Sequence, residues 1–304
     1  MLISVDPGKY ATKAKSSTKQ IYFPTRISSQ TVPPEGNTYN VQFNNESYMI
    51  GEMAEQQDFD ISKASIVHKL ATYTAIALLQ GSENRIQLVM GCPLNIYKNK
   101  DLKEEYKNFM LNEKLNRIFV NDIVYSFYIE NILILPEGAG IVYLYPSLFK
   151  GKRVAVVDLG GLNLNFSIYD NYVPQPSSML SLNLGSYSLE TILINELNSK
   201  YGIVLNSQDA QYIIKDGGLK LNGMIDSNST GIVKNIIQDY LSKVLKEIQR
   251  NNFNLGTLDV CFVGGTSQLV GKEILRMVPH AFIPEEADWA NCNGFFKIGE
   301  LKYG

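Results

Sequence analysis

The same local pattern occurs twice in the chain: an apolar strand ends in an aspartate and a glycine-containing turn, and a second strand follows. The first copy runs from the apolar segment 2–5 into Asp-Pro-Gly at 6–8, and the second from 153–157 into Asp-Leu-Gly-Gly at 158–161. The two aspartates are 152 residues apart, half of the 304-residue length. A repeat of this length predicts two similar halves and not an array of short repeats.

Apolar patterns elsewhere predict a mixed α/β chain, because short apolar runs of strand length alternate with segments of helical period. Asparagine-containing turns are expected at 44–45 and 121–122, each between two strands. The predicted strands outside the repeat include 39–43, 47–50, 85–90, 117–120, 123–128, 132–135, 178–184 and 258–263. The predicted helices begin near residue 65 and also cover 98–111, 186–200, 207–215, 230–250, 268–277 and 288–296.

Composition narrows the class of function. With 28 basic and 30 acidic side chains the formal net charge is −2, which argues against direct nucleic-acid binding. Three well-separated cysteines and two histidines make a disulfide framework or a zinc site improbable, and Cys92 is expected to be a buried thiol. The first residues contain no apolar leader core, and no apolar run is long enough to span a membrane. We therefore expect a cytoplasmic protein without membrane contact.

The two acidic turns suggest phosphate chemistry. Glycine lets backbone N–H groups approach phosphate oxygens, whereas a carboxylate there would repel them unless a cation lies between. Asp6 and Asp158 therefore imply Mg²⁺ held mainly through water. The alternative is that each aspartate only stabilises a hairpin turn. Lys13, on the returning strand, could neutralise phosphate charge, with Lys9 as its competitor.

Two further segments, around Gly264 and around Glu137, fit the hypothesis of phosphate chemistry. Gly264 and Gly265 follow a buried strand and precede a helix, so a flat ring could pack against their backbone. Glu137 follows the strand at 132–135 and could orient or deprotonate a water molecule. The alternative is that Glu137 is a favourable acid in the first turn of a short helix.

Taken in order, these segments resemble the actin-like ATPases, and most closely the bacterial plasmid-segregating actins of the ParM type. The resemblance spans the chain through a terminal helix that carries Ala290 and Gly294, and through the motifs VDPGKYATK, LPEGAG, VVDLGGLNLNFSIY, LGSYSLE and VCFVGGTSQL. It implies two α/β domains with duplicated ribonuclease H-like cores and a nucleotide cleft between them. The implied limits are 1–149 with an outer subdomain at 20–60, 150–287 with an outer subdomain at 191–230, and a terminal helix at 288–304 that returns to the first domain.

The resemblance also implies roles for individual residues. Asp6 and Asp158 match the aspartates that position Mg²⁺, and Glu137 matches the residue that orients the attacking water. Lys13 matches the phosphate-binding lysine. The remaining matches are nucleotide-contacting loop residues: Gly8, Gly160, Gly161, Gly185, Gly264, Gly265 and Thr266.

The second loop departs from the family pattern D-x-G-G-T-T-x-D. Leu162 and Asn163 replace the two threonines, and Asn165 replaces the final aspartate. Backbone contacts to phosphate survive these changes, whereas hydroxyl contacts and a second carboxylate do not. In the first loop Pro7 stands where the family usually has a small, flexible residue.

The resemblance implies an ATPase, with ATP or GTP and Mg²⁺ as cofactors, whose nucleotide state controls assembly of the chain into filaments that move plasmid DNA. The net charge then implies a DNA-bound adaptor protein. Two alternatives stay open. One is a small-molecule kinase or phosphatase of the same fold, although no acidic base aimed at a substrate hydroxyl is evident. The other is a cell-shape or division-type bacterial actin.

Overall fold

A computed structural model of the chain describes residues 1–58, 62–112 and 115–304. These residues form two compact units, 1–148 with 289–304 and 149–288. Each unit has its own sheet and its own apolar core, so the predicted α/β class is confirmed. The outer subdomains at 20–60 and 191–230 stay a prediction, and residues 59 and 60 of the first lie outside the described residues.

Seven strands precede the first helix of the described chain, and strands and helices are interspersed after it. The strands are β1 (Leu2–Pro7), β2 (Ala11–Lys15), β3 (Gln20–Pro24), β4 (Arg26–Ser28), β5 (Thr38–Phe43), β6 (Glu46–Gly51), β7 (Gln56–Gln57), β8 (Arg85–Cys92), β9 (Asn116–Val120), β10 (Ile123–Pro136), β11 (Arg153–Leu159), β12 (Leu164–Asp170), β13 (Val173–Pro174), β14 (Leu180–Leu182), β15 (Lys220–Leu221), β16 (Met224–Ile225), β17 (Asp259–Val263) and β18 (Ala281–Phe282). The helices are α1 (Ile66–Leu79), α2 (Leu94–Lys98), α3 (Lys100–Leu111), α4 (Gly140–Leu144), α5 (Ser186–Tyr201), α6 (Ser207–Asp216), α7 (Ser227–Arg250), α8 (Gly265–Leu269), α9 (Gly271–Met277) and α10 (Ala290–Tyr303).

The sheet of the first unit has the strand order β3-β2-β1-β8-β10-β9-β5-β6-β4-β7. The central strands β1, β8 and β10 are parallel, and β2 returns antiparallel along β1. Because the carboxyl ends of parallel strands meet at the same edge of a sheet, Asp6 at the end of β1 and Glu137 just after β10 lie at that edge. This is how the fold brings two acids that are far apart in sequence toward one place.

In the first unit, two strands that the sequence predicts form one continuous strand. The structure has a single strand, β10, where the sequence predicts separate strands at 123–128 and 132–135. Its first half pairs with β9 and its second half with β8, and the register shifts between Ile129 and Asn131. The pairing passes from β9 to β8 between Phe127 and Tyr128, so β10 continues without a turn. The predicted turns at 44–45 and 121–122 are confirmed, and all four residues have positive φ.

The sheet of the second unit has the order β13-β12-β11-β17-β18, with β14 also paired to β12, and β15 and β16 form a separate hairpin. The predicted strand at 178–184 is wrong in extent: Pro176–Ser178 form a helical turn, and only Leu180–Leu182 are strand. Ser178 stabilises the turn because its hydroxyl donates to the carbonyl of Gln175 at 2.7 Å. The helical period over 230–250 predicts an apolar face, and on helix α7 its members Ile237, Tyr240, Leu241, Val244 and Ile248 are buried, while Ile232, Ile236 and Leu245 are partly buried.

The repeat seen in the sequence extends to strand register. In the first unit β1 and β2 pair Val5 with Ala14 and Asp6 with Lys13. In the second unit β11 and β12 pair Val157 with Phe166 and Asp158 with Asn165. Every residue of the second set lies 152 positions after its counterpart. The two halves therefore share local geometry as well as a motif.

The terminal helix α10 belongs to the first unit and packs closely on α4. It begins at Ala290, two residues later than the helix predicted from 288, because residues 287–289 form a separate helical turn. A methyl group on Gly294 would lie 2.0 Å from the carbonyl oxygen of Gly140, so the two helices touch backbone to backbone. Within the described chain, none of the helices combines the length and apolarity needed to cross a bilayer.

We expect Gly294→Ala to destabilise the first unit by about 2 kcal/mol or more, because an added methyl group in a tight contact forces the packed elements apart. Gly231→Ala is the matched control, since Gly231 lies inside α7 and a methyl group there meets open space. That change should stabilise by about 0.5–1 kcal/mol through helix propensity. Thermal unfolding of both variants checks this, and equal melting temperatures would contradict the close contact.

Candidate functional site

The first acidic turn places a carboxylate and an amine on one face. Asp6 lies directly opposite Lys13 in the antiparallel β1–β2 pair, and directly opposed residues share a face. Lys13 is buried, as is Lys9 in the turn, and Lys13 is the residue opposite Asp6 and one of the charges that act on it. The spacing of Lys13 from Asp6 does not by itself determine which face of the sheet Lys13 lies on, because the hairpin turn sets the strand register. The structure favours Lys13 over Lys9 as the partner of Asp6.

The second acidic turn repeats the first with a different partner. Asp158 is buried and lies opposite Asn165, the residue that replaces the aspartate of the family pattern. Asn165 therefore occupies the position that Lys13 has in the first unit. The backbone N–H of Gly160 donates to the carbonyl of Asn163 at 2.9 Å, which closes the turn. One unit thus carries an acid–amine pair and the other an acid–amide pair.

Backbone groups of helix α5 hold the second turn. The N–H of Ser186 donates to the carbonyl of Gly160 at 3.1 Å, and the N–H of Tyr187 donates to that of Gly161 at 2.8 Å. A side chain at Gly185 would meet the Gly161 carbonyl oxygen at 2.3 Å. Gly185 is therefore a close-approach glycine that lets the start of α5 reach the turn.

The third glycine segment also contacts the second turn. Gly264 has a φ of +93°, and a methyl group there would lie 2.5 Å from Oδ1 of Asp158. The hydroxyl of Thr266 donates to the carbonyl of Gly160 at 2.7 Å, and its side chain is buried. Within the second unit, the predicted residues Asp158, Gly160 and Gly264 thus lie together, and Thr266 fastens one loop to the other.

Glu137 has a partner that the sequence did not indicate. Its carboxylate forms an ion pair with Lys63, and the two side chains are only 8% and 4% exposed. Its backbone N–H donates to the carbonyl of Cys92 at 3.0 Å, and the N–H of Gly138 donates to Oδ1 of Asn291 at 3.0 Å. No spacing rule relates Lys63 or Asn291 to Glu137, since the contacts arise from tertiary packing.

The Asp6 carboxyl is the electrostatic centre of the first unit. Burial raises its pKa above the ordinary value of 3.8, and the negative charge of Glu137 acts in the same direction. Lys63, Lys13 and a hydrogen bond from Asn291 lower the pKa, but burial dominates. The fold therefore holds this carboxyl where its charged form is costly without a further cation, as expected of a functional position.

The only tryptophan of the chain, Trp289, lies close to Lys13. The ammonium group of Lys13 lies 5.7 Å from the centre of the Trp289 ring, within range of a cation–π interaction. Trp289 lies immediately before α10, so the terminal helix reaches the first acidic turn through this contact.

The acidic turns offer single carboxylates as ligands for Mg²⁺. Among the described residues no three histidine, cysteine or acidic side chains lie close enough to hold a metal ion by themselves. Each acidic turn supplies one carboxylate. Mg²⁺ commonly binds to one or two carboxylates and completes its shell with phosphate oxygens and water. Each of Asp6 and Asp158, taken within its own unit, therefore offers one carboxylate of the kind that such a metal uses.

Sequence comparison identifies the first half of the chain. Residues 4–140 match the family model described as the N-terminal domain of actin-like proteins. No curated protein matches the chain.

Solved structures match the whole chain. The filament structure of Alp12 is 32% identical, with 100% of this chain and 99% of that chain covered and a TM-score of 0.75. The archaeal actin homologue Ta0583 in complex with ADP is 19% identical, with 99% of both chains covered and a TM-score of 0.80. A 15-stranded ParM filament from Clostridium botulinum is 18% identical, with 99% of both chains covered and a TM-score of 0.76.

We expect Asp6→Asn to stabilise the protein at neutral pH, because burial raises the pKa of Asp6 and so makes its charged form unfavourable in the folded state. With the pKa of Asp6 raised above 3.8, folding favours the protonated carboxyl, so the wild-type protein loses stability as pH rises from 3.8 through the raised value. Asparagine has no charge to bury.

Urea unfolding at neutral pH and below pH 3.8 measures this difference. The two proteins should converge at the lower pH, where Asp6 is protonated in both the folded and the unfolded state. Asp122→Asn, in an exposed turn, is the control and should leave stability nearly unchanged at both pH values. An Asp6→Asn protein that is less stable than wild type at neutral pH would contradict the electrostatic description.

Proposed function

The chain belongs to the actin-like proteins, and from this premise we propose that it binds ATP or GTP with Mg²⁺, hydrolyses the nucleotide and assembles into filaments under nucleotide control. The observation that carries the proposal is the acidic turn that recurs in the two units with the same register. A full-length match to the filament-forming Alp12 at 32% identity supports the assembly part, and the ADP complex of Ta0583 supports nucleotide binding.

In this proposal the two turns serve one nucleotide. Asp6 and Asp158 would hold Mg²⁺ through water, and the metal would supply charge neutralisation for the phosphates. Lys13 contacts phosphate oxygens, while Gly8, Gly160 and Gly161 offer backbone N–H groups. Gly264 and Gly265 form the platform for the base and ribose. Gly185 and Thr266 serve the nucleotide indirectly, because their contacts position the backbone of the second turn.

Glu137 is the group we propose for the water molecule. Its backbone is fixed from two sides, by Cys92 and through Gly138 by Asn291. A carboxylate held in this way can accept a hydrogen bond from water and orient it for in-line attack on the terminal phosphate. Lys13 would contact the phosphate oxygens, and Asp6 would act through the metal that it helps to position, while the bond between the terminal phosphate and the leaving diphosphate breaks.

Assembly follows from a heterologous contact between identical subunits. A contact that does not close into a ring must propagate as a fibre. A nucleotide can control such a fibre only if it binds the assembling conformation more tightly than the other one. Loss of the terminal phosphate removes part of that preference, so subunits with diphosphate should dissociate. Plasmid segregation is the proposed role, and the net charge of −2 favours a DNA-bound adaptor over direct DNA contact.

Glu137→Gln keeps the size of the side chain and removes its negative charge. We expect nucleotide binding to stay near normal and turnover to fall about 100-fold or more, the usual effect of losing a general base. Light scattering should rise above a critical protein concentration after addition of Mg²⁺ and ATP or GTP, and then decay as the nucleotide is consumed. In the Glu137→Gln protein the plateau should last longer.

Wild-type protein with ADP is the control for that experiment and should show little assembly. If the wild-type protein stays a small closed oligomer with either triphosphate while it phosphorylates or hydrolyses a soluble metabolite, the filament proposal is wrong. A kinase or phosphatase of the same fold then takes its place. Unchanged turnover in Glu137→Gln would make Glu137 a turn residue.

Asp158→Ala should abolish hydrolysis and weaken the Mg²⁺-dependent part of nucleotide affinity, because it removes one of the two proposed metal-positioning carboxylates. The fold should survive, since a buried carboxylate of this kind costs stability to keep. Asp170→Asn is the matched control: Asp170 lies on the neighbouring strand β12 but at its exposed end. Steady-state phosphate release and circular dichroism of both variants measure the two effects, and full activity in Asp158→Ala sinks the assignment.

A further inference from the structure

The ion pair between Lys63 and Glu137 has no place in the mechanism so far. It joins residues 74 positions apart and lies in the interior of the first unit. A buried ion pair contributes little net stability, because desolvation of both charges offsets their attraction. Such a pair at the proposed water-orienting residue therefore calls for an explanation other than stability.

Lys63 sits on a backbone that an ordinary residue seldom adopts. Its φ is +53°, in the left-handed region, which a side chain with a Cβ atom disfavours. It lies shortly before α1, and at the start of that helix the hydroxyl of Ser65 lies 3.1 Å from Nδ1 of the buried His68. Strained residues persist where surrounding contacts hold them, and they concentrate at ligand clamps and switches. The contact with Glu137 is such a restraint.

Charge balance around Asp6 defines what the pair can do. Two acids, Asp6 and Glu137, act on one another together with two amines, Lys63 and Lys13. Asp58 and His68 lie beside them, since His68 interacts with Asp58, Lys63 and Glu137. A terminal phosphate brings a new anion into this set, and it competes with Glu137 for the ammonium group of Lys63.

We propose that Lys63 exchanges partners: it pairs with Glu137 while no terminal phosphate is present, and it binds the γ-phosphate of a bound nucleoside triphosphate, which frees Glu137 for water. This inference rests on the proposed function. In the paired state the carboxylate of Glu137 is engaged by an ammonium group and is a poor base. In the exchanged state Lys63 adds positive charge to the phosphate, and Glu137 recovers its lone pairs.

The exchange makes Lys63 a determinant of nucleotide state. A diphosphate lacks the competing anion, so Lys63 stays with Glu137 and adds nothing to binding. A triphosphate gains the Lys63 contact. Lys63 should therefore contribute to the preference for triphosphate over diphosphate and leave diphosphate affinity nearly unaltered. A purely structural ion pair would change the binding of both nucleotides together.

The test uses the full chain below its assembly concentration. The variants are Lys63→Met and the double variant Lys63→Met with Glu137→Gln, which leaves no unpaired buried carboxylate if the single variant folds poorly. Lys69→Met is the matched control, because Lys69 is a half-buried lysine on α1 that packs against Tyr73 and Phe109. Equilibrium dialysis measures the dissociation constants for Mg²⁺-ADP and for a slowly hydrolysed Mg²⁺-ATP analogue, with the guanine nucleotides in parallel.

We expect the preference of the wild type for the triphosphate analogue to fall about tenfold in both Lys63 variants, on the scale of one charged hydrogen bond, and to be kept in Lys69→Met. If the double variant keeps the wild-type preference for the triphosphate analogue, or if both nucleotides bind more weakly by the same factor, the exchange is wrong. The proposed function is not affected by either result. A wild-type protein that binds no nucleotide overturns the proposed function, and the exchange with it.

Discussion

A partly buried carboxylate at the end of a central strand is the constraint on which the rest of the first unit depends. Burial disfavours the charged form of Asp6, and the fold answers with two amines and an amide around it, from β2, the loop before α1 and α10. These elements meet at Asp6 from distant parts of the chain. The terminal helix can reach this place because Gly294 and Gly140 let α10 and α4 approach backbone to backbone.

The second unit meets the same constraint with other groups. Asp158 faces an amide in place of an amine, and the turn after it is held by backbone hydrogen bonds from α5 and by the hydroxyl of Thr266. The shared register shows that the acid and the turn recur together, while the residue opposite the acid differs. Lys13 in the first unit and Asn165 in the second thus mark a position at which the two similar halves differ in chemistry. In the account proposed here the amine serves the phosphates.

Sequence reasoning was strongest where local chemistry decides the structure. Both acidic turns, the asparagine turns and the α7 stripe follow from glycine, asparagine and helical period, and the actin-like fold is confirmed over the full length. It was weaker where tertiary pairing decides: β10 continues through the predicted break because it changes partners. The partners of Glu137 could not be predicted, since a lysine in a polar loop carries no signal of the acid that it meets after folding.

The claim that both acidic turns serve one nucleotide is tested most directly by the stoichiometry of binding. Isothermal titration calorimetry of the wild-type chain with a slowly hydrolysed Mg²⁺-ATP analogue, and with the guanine analogue, should give one nucleotide per chain. Asp6→Ala and Asp158→Ala should each weaken that single binding event in the presence of Mg²⁺. Two nucleotides per chain, or a loss confined to one of the two variants, would show that the turns act separately and would contradict the account.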